Sequence, residues 1–285
     1  MLSRVAAAVA IASLTCAAGS AIAVAGPLPD GSCGATYGGV LETVYSGGAT
    51  GSCPQSATYN NPGRALGWPS ASTTVSASAA SGAPLASVST TLGPGAFYDA
   101  DADGSAYVQY YIEVAGPQGS NGTAVPVVAS GSVSAQGVFN QADTNGASAF
   151  VTVAYGQDFT YDVLSESASA GSPSSLSQSE NETVPYSASL LLTSGTLYRA
   201  TLIANAGLNS ANDYSAQSAE ASADPLFTLS PTYAAMGYSL EYSSGFVPVP
   251  PSVPSPPSAW LMLAGLVGLG AMRGARIVRQ FRGTV

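Results

Sequence analysis

The sequence predicts an all-β protein, and within that class an antiparallel β-sandwich of the jelly-roll or Ig-like type. From about residue 73 onward, apolar residues alternate with small polar ones at period two, as in strands that bury one face. These runs recur between turn residues at the short intervals expected of an antiparallel sandwich. Helical spacing is weak in this region. The pattern does not decide the order of the strands.

The first 25 residues predict a signal peptide. Arg4 supplies a short positive region, residues 5–18 are apolar, and residues 21–25 contain two overlapping A-x-A cleavage candidates. A signal helix of this kind implies export through the inner membrane, with signal peptidase and the export machinery as partners.

Residues 26–70 predict an irregular lead-in with one or two short strands, because Gly, Pro, Asn and Ser are dense there. Removal of the signal peptide takes away Cys16 and leaves Cys33 and Cys53. Two cysteines close in sequence in an exported chain usually form a disulfide. That bond would stabilise the fold by about 3 kcal/mol on the chain-entropy model.

Residues 71–246 predict the body of the sandwich. Its clearest strand covers residues 106–114, and Ser194-Gly195 predicts a hairpin between the two runs that flank it. Residues 168–183 predict a polar surface loop. The other runs that predict strands are 75–79, 85–92, 125–135, 147–155, 159–164, 186–193, 196–205, 215–223 and 238–242.

The charged residues exclude several kinds of function. They make up only 8% of the chain, the net charge is -9, and His and Lys are absent. Most His-dependent catalysis and His-based metal chemistry are therefore excluded. Residues 26–258 contain only Arg64 and Arg199 as basic residues, with all 16 acidic ones. Such a body should repel nucleic acid and other anionic polymers and attract divalent cations.

Asp99, Asp101 and Asp103 form a D-x-D-x-D-G sequence with Gly104. Carboxylates at alternate positions before a glycine can converge on one calcium ion. The twelfth position, which is Glu in a full EF-hand loop, is Tyr110 here. The alternative is an acidic turn leading into the next strand. Calcium is the one cofactor that the sequence suggests.

Two other groups of residues invite a functional interpretation. Asp158 with Asp162, or Glu180 with Glu182, could form the carboxylate pair of a glycosidase. Any chain with 16 acidic residues offers such pairs, and we predict that the protein is not an enzyme. The second group comprises Tyr107, Tyr111 and Glu113, which share one face of a strand. They would form either a sugar-stacking platform or, as we favour, a face packed against the second sheet.

The C-terminal tail has two parts. Residues 247–258 predict an extended proline-rich spacer, and residues 259–285 predict a short hydrophobic helix followed by arginines. Trp260 and Arg273 would mark the two membrane interfaces. The apolar segment, residues 259–272, is shorter than the roughly 20 residues of a stable transmembrane helix. A temporary membrane segment is therefore predicted rather than a permanent anchor.

This tail resembles the PEP-CTERM sorting signal of Gram-negative bacteria. Val253-Pro254-Ser255-Pro256 stands at the Val-Pro-Glu-Pro-like box, and Ser258-Ala259-Trp260 opens the hydrophobic segment. Arg273 and Arg276 stand at the basic end. Ser255 replaces the Glu of the usual box, and the arginines are spread out rather than clustered.

The resemblance implies recognition by an exosortase, a membrane transpeptidase that would cleave near the box. It implies delivery to the cell envelope, the cell surface or the extracellular space, often together with exopolysaccharide. The expected function is that of a non-enzymatic surface or matrix protein associated with exopolysaccharide or biofilm. The alternative is a membrane-anchored sandwich that binds or cleaves carbohydrate.

Overall fold

The computed structural model describes residues 27–41, 44–63, 69–79, 84–94, 100–139, 145–171, 178–210 and 216–246. The predicted signal peptide, proline-rich spacer, hydrophobic helix and sorting box all lie outside these residues. Within the described ranges, no helix is both long enough and apolar enough to cross a membrane.

Thirteen strands form within the described residues, and all their pairings are antiparallel. In chain order they are β1 (Ser32–Val40), β2 (Val44–Gly51), β3 (Gln55–Asn61), β4 (Ala71–Ser78), β5 (Leu85–Leu92), β6 (Ala100–Ala115), β7 (Ala124–Phe139), β8 (Gly146–Tyr155), β9 (Tyr161–Gly171), β10 (Gln178–Thr193), β11 (Leu197–Ser210), β12 (Gln217–Leu229) and β13 (Ser239–Tyr242). A 3-10 turn covers Gln157–Phe159, and the short helix α1 covers Pro231–Ala235.

The strands lie in two sheets. One sheet has the order β2-β1-β6-β11-β8-β9, with β13 also paired to β6, and the other has the order β10-β7-β12-β5-β4-β3. Side chains from the inner faces of both sheets form the hydrophobic core. The predicted all-β antiparallel sandwich is therefore confirmed.

The alternation within β6 shows why these residues form this fold. Val108, Tyr110 and Ile112 are fully buried, whereas the residues between them are partly exposed. Successive side chains of a strand point to opposite faces, so period two places one set in the core and the other outside. Strand β5, Leu85–Leu92, has the bounds that this pattern predicts.

The outer face of the six-stranded sheet carries small hydroxyl residues. One row in register across all six strands consists of Thr183, Ser134, Ser222, Ser87, Ser76 and Ser56. All six are at least partly exposed. The predicted small side chains on the solvent side of the strands are thus present.

The irregular lead-in predicted for residues 26–70 needs correction. Strands β1 and β2 extend the seven-stranded sheet, and β3 extends the six-stranded one. The glycines that suggested turns have a packing role here. A Cβ atom at Gly34 would overlap the ring of Tyr107, which lies across β1. Glycine therefore permits close contact within a strand instead of breaking it.

The hairpin predicted around Ser194-Gly195 is also wrong. Strand β10 pairs with β7 in one sheet, whereas β11 pairs with β6 and β8 in the other. The turn hydrogen-bonds instead to the β6–β7 connection, through Ser194 N to Thr123 O (2.8 Å), and to the end of β6, through Gly195 N to Val114 O (3.1 Å). A local turn signal gives the position of the reversal but not the sheet that each strand joins.

Candidate functional site

The outer face of the seven-stranded sheet holds the aromatic residues predicted on β6. Tyr107, Tyr111 and Glu113 are partly exposed, and the opposite face of β6 is the one buried in the core. Our preferred interpretation, that this face packs against the second sheet, is therefore wrong. The alternating residues Val108, Tyr110 and Ile112 already fill that space.

The two tyrosines do not form one continuous platform. Tyr107 lies over Gly34 on one side of β6. Tyr111 contacts Phe159 on the other side, with 5.6 Å between the ring centroids. Gln109 Nε2 donates a hydrogen bond of 3.2 Å to the hydroxyl of Tyr111. Two separate aromatic positions therefore flank β6.

Tyr111, Phe159 and Arg199 form a compact group that we call the aromatic–arginine cluster. Arg199 of β11 stands directly opposite Tyr111 in the strand register. The guanidinium carbon of Arg199 lies 4.7 Å from the centroid of the Phe159 ring, which is cation–π geometry. The 3-10 turn between β8 and β9 supplies the phenylalanine.

Phe159 is held in place by a strained turn. Asp158 and Phe159 have φ angles of 58° and 53°, in the left-handed region that residues other than glycine rarely adopt. Such a conformation costs about 1–3 kcal/mol for each residue and persists only where its surroundings impose it. Gly156 begins the turn at φ 91°, and a Cβ there would lie 2.7 Å from the Tyr161 ring.

Arg199 has no acidic partner among the described residues. It is the one basic residue within the described ranges. No described carboxylate forms an ion pair with it, and its buried Nε–H has no hydrogen-bond partner in that part of the chain. An arginine usually pairs with a carboxylate when acids are plentiful. Its guanidinium group therefore has no acceptor among the described residues.

Two carboxylates lie close to the cluster on the same sheet. Glu113 follows Tyr111 along β6, and Glu241 of β13 is its direct cross-strand neighbour. Partial burial, and then the charge of Glu241, raise the pKa of Glu113 above its ordinary value. The cluster thus combines aromatic rings, unpaired donors and carboxylate acceptors.

The D-x-D-x-D-G sequence does not form a loop where it is described. Asp101 and Asp103 lie within β6, and Asp99 lies outside the described residues. Burial, and then the charge of Asp101, raise the pKa of Asp103. Asn209 Nδ2 donates a hydrogen bond to Asp101 Oδ1. The described residues contain no group of three or more potential metal-ligating side chains. Calcium binding stays a prediction.

The two proposed carboxylate pairs are in different settings. Asp158 belongs to the strained turn, and Asp162 lies at the start of β9. Glu180 and Glu182 lie in β10, not in the loop expected for residues 168–183. Their Oε2 atoms accept hydrogen bonds from the backbone N–H groups of Gly171 (2.9 Å) and Ser169 (2.6 Å). This second pair holds the backbone of β9.

The disulfide predicted between Cys33 and Cys53 is confirmed, with a Cα–Cα distance of 5.0 Å. It joins β1 to the short connection between β2 and β3. The sorting residues Val253, Pro254, Ser255, Pro256, Trp260, Arg273 and Arg276 lie outside the described residues.

Comparison with known proteins does not place the chain in a family. No family model matches it, and no curated protein matches it. A structure of infectious bursal disease virus Gt strain aligns with 90% of this chain and 78% of its own, at 10% identity. The TM-score of that alignment is 0.14, which is too low to support any argument.

Proposed function

We propose that this chain is a non-enzymatic exported protein of the cell surface or extracellular matrix. Its tail would direct it to the envelope, and its sandwich would be displayed there in association with exopolysaccharide. The main observation in support is that the two ends of the described body lie together. Within the described residues, the outer faces of both sheets carry mostly exposed or partly exposed side chains, which are available for contact with other molecules.

The contacts between these ends are specific. Ser243 Oγ donates a hydrogen bond of 2.7 Å to the carbonyl of Pro29, and Ser244 Oγ donates one of 2.7 Å to Asp30 Oδ1. Phe246 is buried and stacks on Tyr110, with 4.9 Å between the ring centroids. The body is thus closed immediately before the proline-rich spacer begins.

Deletion of residues 247–285 tests the sorting role of the tail. We expect the shortened protein to be exported and released into the medium, because the deletion keeps Phe246 and its contact with Tyr110 in place. Immunoblots of cell and medium fractions from the native host measure this. Replacing Arg273 and Arg276 with Gln is the matched variant, since it leaves the body and the proline-rich spacer unchanged.

Retention of the shortened protein on cells, as strongly as the intact protein, would contradict a sorting role for the tail. Hydrolysis of a polysaccharide by the purified protein would contradict the non-enzymatic part of the proposal.

We also propose that the sandwich is of the jelly-roll form. Strands β6 and β7 lie in different sheets, and so do β10 and β11. The first pair associates with the second, because β6 pairs with β11 and β7 pairs with β10. Two long hairpin-like segments that bend together across both sheets are characteristic of a jelly roll and not of an Ig-like sandwich.

A second candidate function is carbohydrate binding. The aromatic–arginine cluster favours it, because this cluster lies on an outer face and its arginine has no hydrogen-bond acceptor within the described residues. Aromatic rings that are partly exposed on a sheet can contact the apolar face of a sugar ring.

A further inference from the structure

The aromatic–arginine cluster combines an arginine without a hydrogen-bond acceptor in the described structure with partly exposed aromatic rings. We propose that Tyr111, Phe159 and Arg199 form a binding subsite for an uncharged sugar unit of a polysaccharide. This inference rests on carbohydrate binding, the second candidate function, and is independent of how the tail sorts the protein.

The first step of the argument concerns Arg199. Its side chain is fixed from one side by the Phe159 ring, 4.7 Å from the guanidinium carbon. It makes no ion pair within the described residues, although the chain has 16 acidic residues. A guanidinium group carries five N–H donors in a planar fork, and four of them, on the two terminal nitrogens, remain once the buried Nε–H of Arg199 is set aside. Held against an aromatic ring, this fork can donate to two neighbouring hydroxyl oxygens at once.

The second step concerns preorganisation. Tyr111 is fixed by β11 on one side and by Ser243 on the other, whose Oγ accepts a hydrogen bond of 2.8 Å from Tyr111 N. Phe159 is fixed by the strained turn at Asp158. Strained backbone in a folded protein concentrates at functional sites. Rings that are already fixed lose little entropy when a ligand binds.

The third step selects an uncharged ligand. Glu113 and Glu241 lie beside the cluster on the same face, and Asp158 is adjacent to Phe159 in sequence. An acidic sugar would approach these three carboxylates and be repelled by them. A hydroxyl group both donates and accepts, so an uncharged sugar can use Arg199 as donor and a carboxylate as acceptor.

The test uses the full mature protein and three soluble probes. Cellohexaose and dextran are uncharged, and polygalacturonate is acidic. Saturation-transfer NMR detects weak binding, and calorimetric titration measures the dissociation constant. We expect at least one uncharged probe to bind, with little dependence on salt concentration. Arg199→Ala and Phe159→Ala should each weaken this binding by about tenfold, through loss of a charge-assisted hydrogen bond or of ring contact.

The controls separate recognition from folding. Phe150→Ala removes a partly exposed aromatic ring from the same sheet outside the cluster, and its affinity should equal that of the parent protein. Arg199→Lys keeps the charge but lacks the planar fork, so it should bind more weakly at an unchanged melting temperature.

Three outcomes would overturn the inference. These are no binding of either uncharged probe, stronger binding of polygalacturonate than of both, or equal affinity in the folded Arg199→Lys and parent proteins. None of them would change the result of the tail deletion, which tests sorting alone.

Discussion

The two edges of the sandwich are closed by different chemistry. At the disulfide edge, formed by β2 and β3, the chain crosses between the sheets beside the Cys33–Cys53 bond. At the carboxylate edge, formed by β9 and β10, side-chain carboxylates of one sheet bind backbone amides of the other. The first edge is joined by a covalent bond that does not depend on charge, whereas the second depends on charged groups that water can reach.

Tyrosines reinforce the disulfide edge. The rings of Tyr45 and Tyr59 stack with 3.9 Å between their centroids, and Tyr37 lies 5.6 Å from Tyr59. The hydroxyl of Tyr45 donates a hydrogen bond of 3.2 Å to the carbonyl of Asp101. Burial, then the charge of Tyr59 and of nearby aspartates, raise the pKa of Tyr45. Covalent, aromatic and hydrogen-bonded contacts therefore coincide at this edge.

The carboxylate edge protects a strand that pairs on one side only. Strand β9 ends its sheet and would otherwise offer free N–H groups to another chain. Glu180 and Glu182 occupy the N–H groups of Gly171 and Ser169. Charged residues at an edge also discourage pairing between molecules. This edge therefore combines sheet closure with protection against aggregation.

The largest effect should come from breaking the disulfide edge. Replacing both Cys33 and Cys53 with Ser should lower the free energy of unfolding by about 3 kcal/mol, because the unfolded chain regains the entropy of an open 20-residue loop. Denaturant unfolding with and without reductant measures this difference.

The double serine variant also serves as the control. Because it has no disulfide, reductant should not change its stability. If reductant left the parent protein as stable as before, the disulfide would contribute little and the tyrosine stack would hold this edge.

A smaller effect should come from the carboxylate edge. Replacing Glu180 and Glu182 with Ala should lower the free energy of unfolding by about 1 kcal/mol, since charge-assisted hydrogen bonds are weakened by solvent at an exposed site. The effect on hydrogen exchange is more specific than the effect on the free energy of unfolding. Hydrogen exchange at the amides of Ser169 and Gly171 should accelerate, as measured by NMR.

Glu220→Ala is the matched control for this pair. Glu220 is also an exposed acid, but it accepts hydrogen bonds from Ser89 and Gln136 on the outer face of the six-stranded sheet. Its removal should leave exchange at Ser169 and Gly171 unchanged. Equal acceleration in both variants would mean that general charge, rather than direct bonding, protects β9.

The fold of the body could be predicted from the sequence, and that of the lead-in could not. Period two persists through the body because each strand buries one face, as β5 shows. In the lead-in, the density of glycine predicts turns. At Gly34 it instead makes room for the Tyr107 ring, a contact between residues far apart in sequence.

Contacts between residues far apart in sequence also limit what could be predicted of the candidate site. Two cysteines close in sequence, in a chain predicted to be exported, sufficed to predict the disulfide. The sequence identifies Tyr111 as a candidate binding residue. Whether its side chain points to solvent or to the core depends on which face of β6 the second sheet covers. The partners Phe159 and Arg199 come from a strained turn and from β11, and only the strand register brings them together. The scarcity of arginine in the body was the one available signal for Arg199.

The smallest effect should come from Glu113 and Glu241, because their carboxylates oppose strand pairing instead of supporting it. Glu241 on β13 stands opposite Glu113, on the same side of β6 as the disulfide edge. Because the folded-state pKa of Glu113 is raised, stability is greatest when this group is protonated, and it falls as the pH rises above the ordinary value of 4.5. Glu241→Gln should therefore stabilise the protein at pH 7 by about 0.3 kcal/mol, a small figure because solvent reaches both partly exposed side chains and screens their repulsion.

The gain from Glu241→Gln should diminish in melting curves recorded at pH values below 4.5, where Glu113, with its raised pKa, becomes protonated and no longer repels its neighbour. Asp162→Asn, the same charge change at an exposed site on β9, should give no comparable gain at pH 7. Equal gains in the two variants would trace the effect to net charge, because removing any acid from a chain of charge -9 reduces overall repulsion. A gain confined to Glu241→Gln would instead establish that carboxylates oppose strand pairing beside the disulfide edge, whereas they support it at the carboxylate edge.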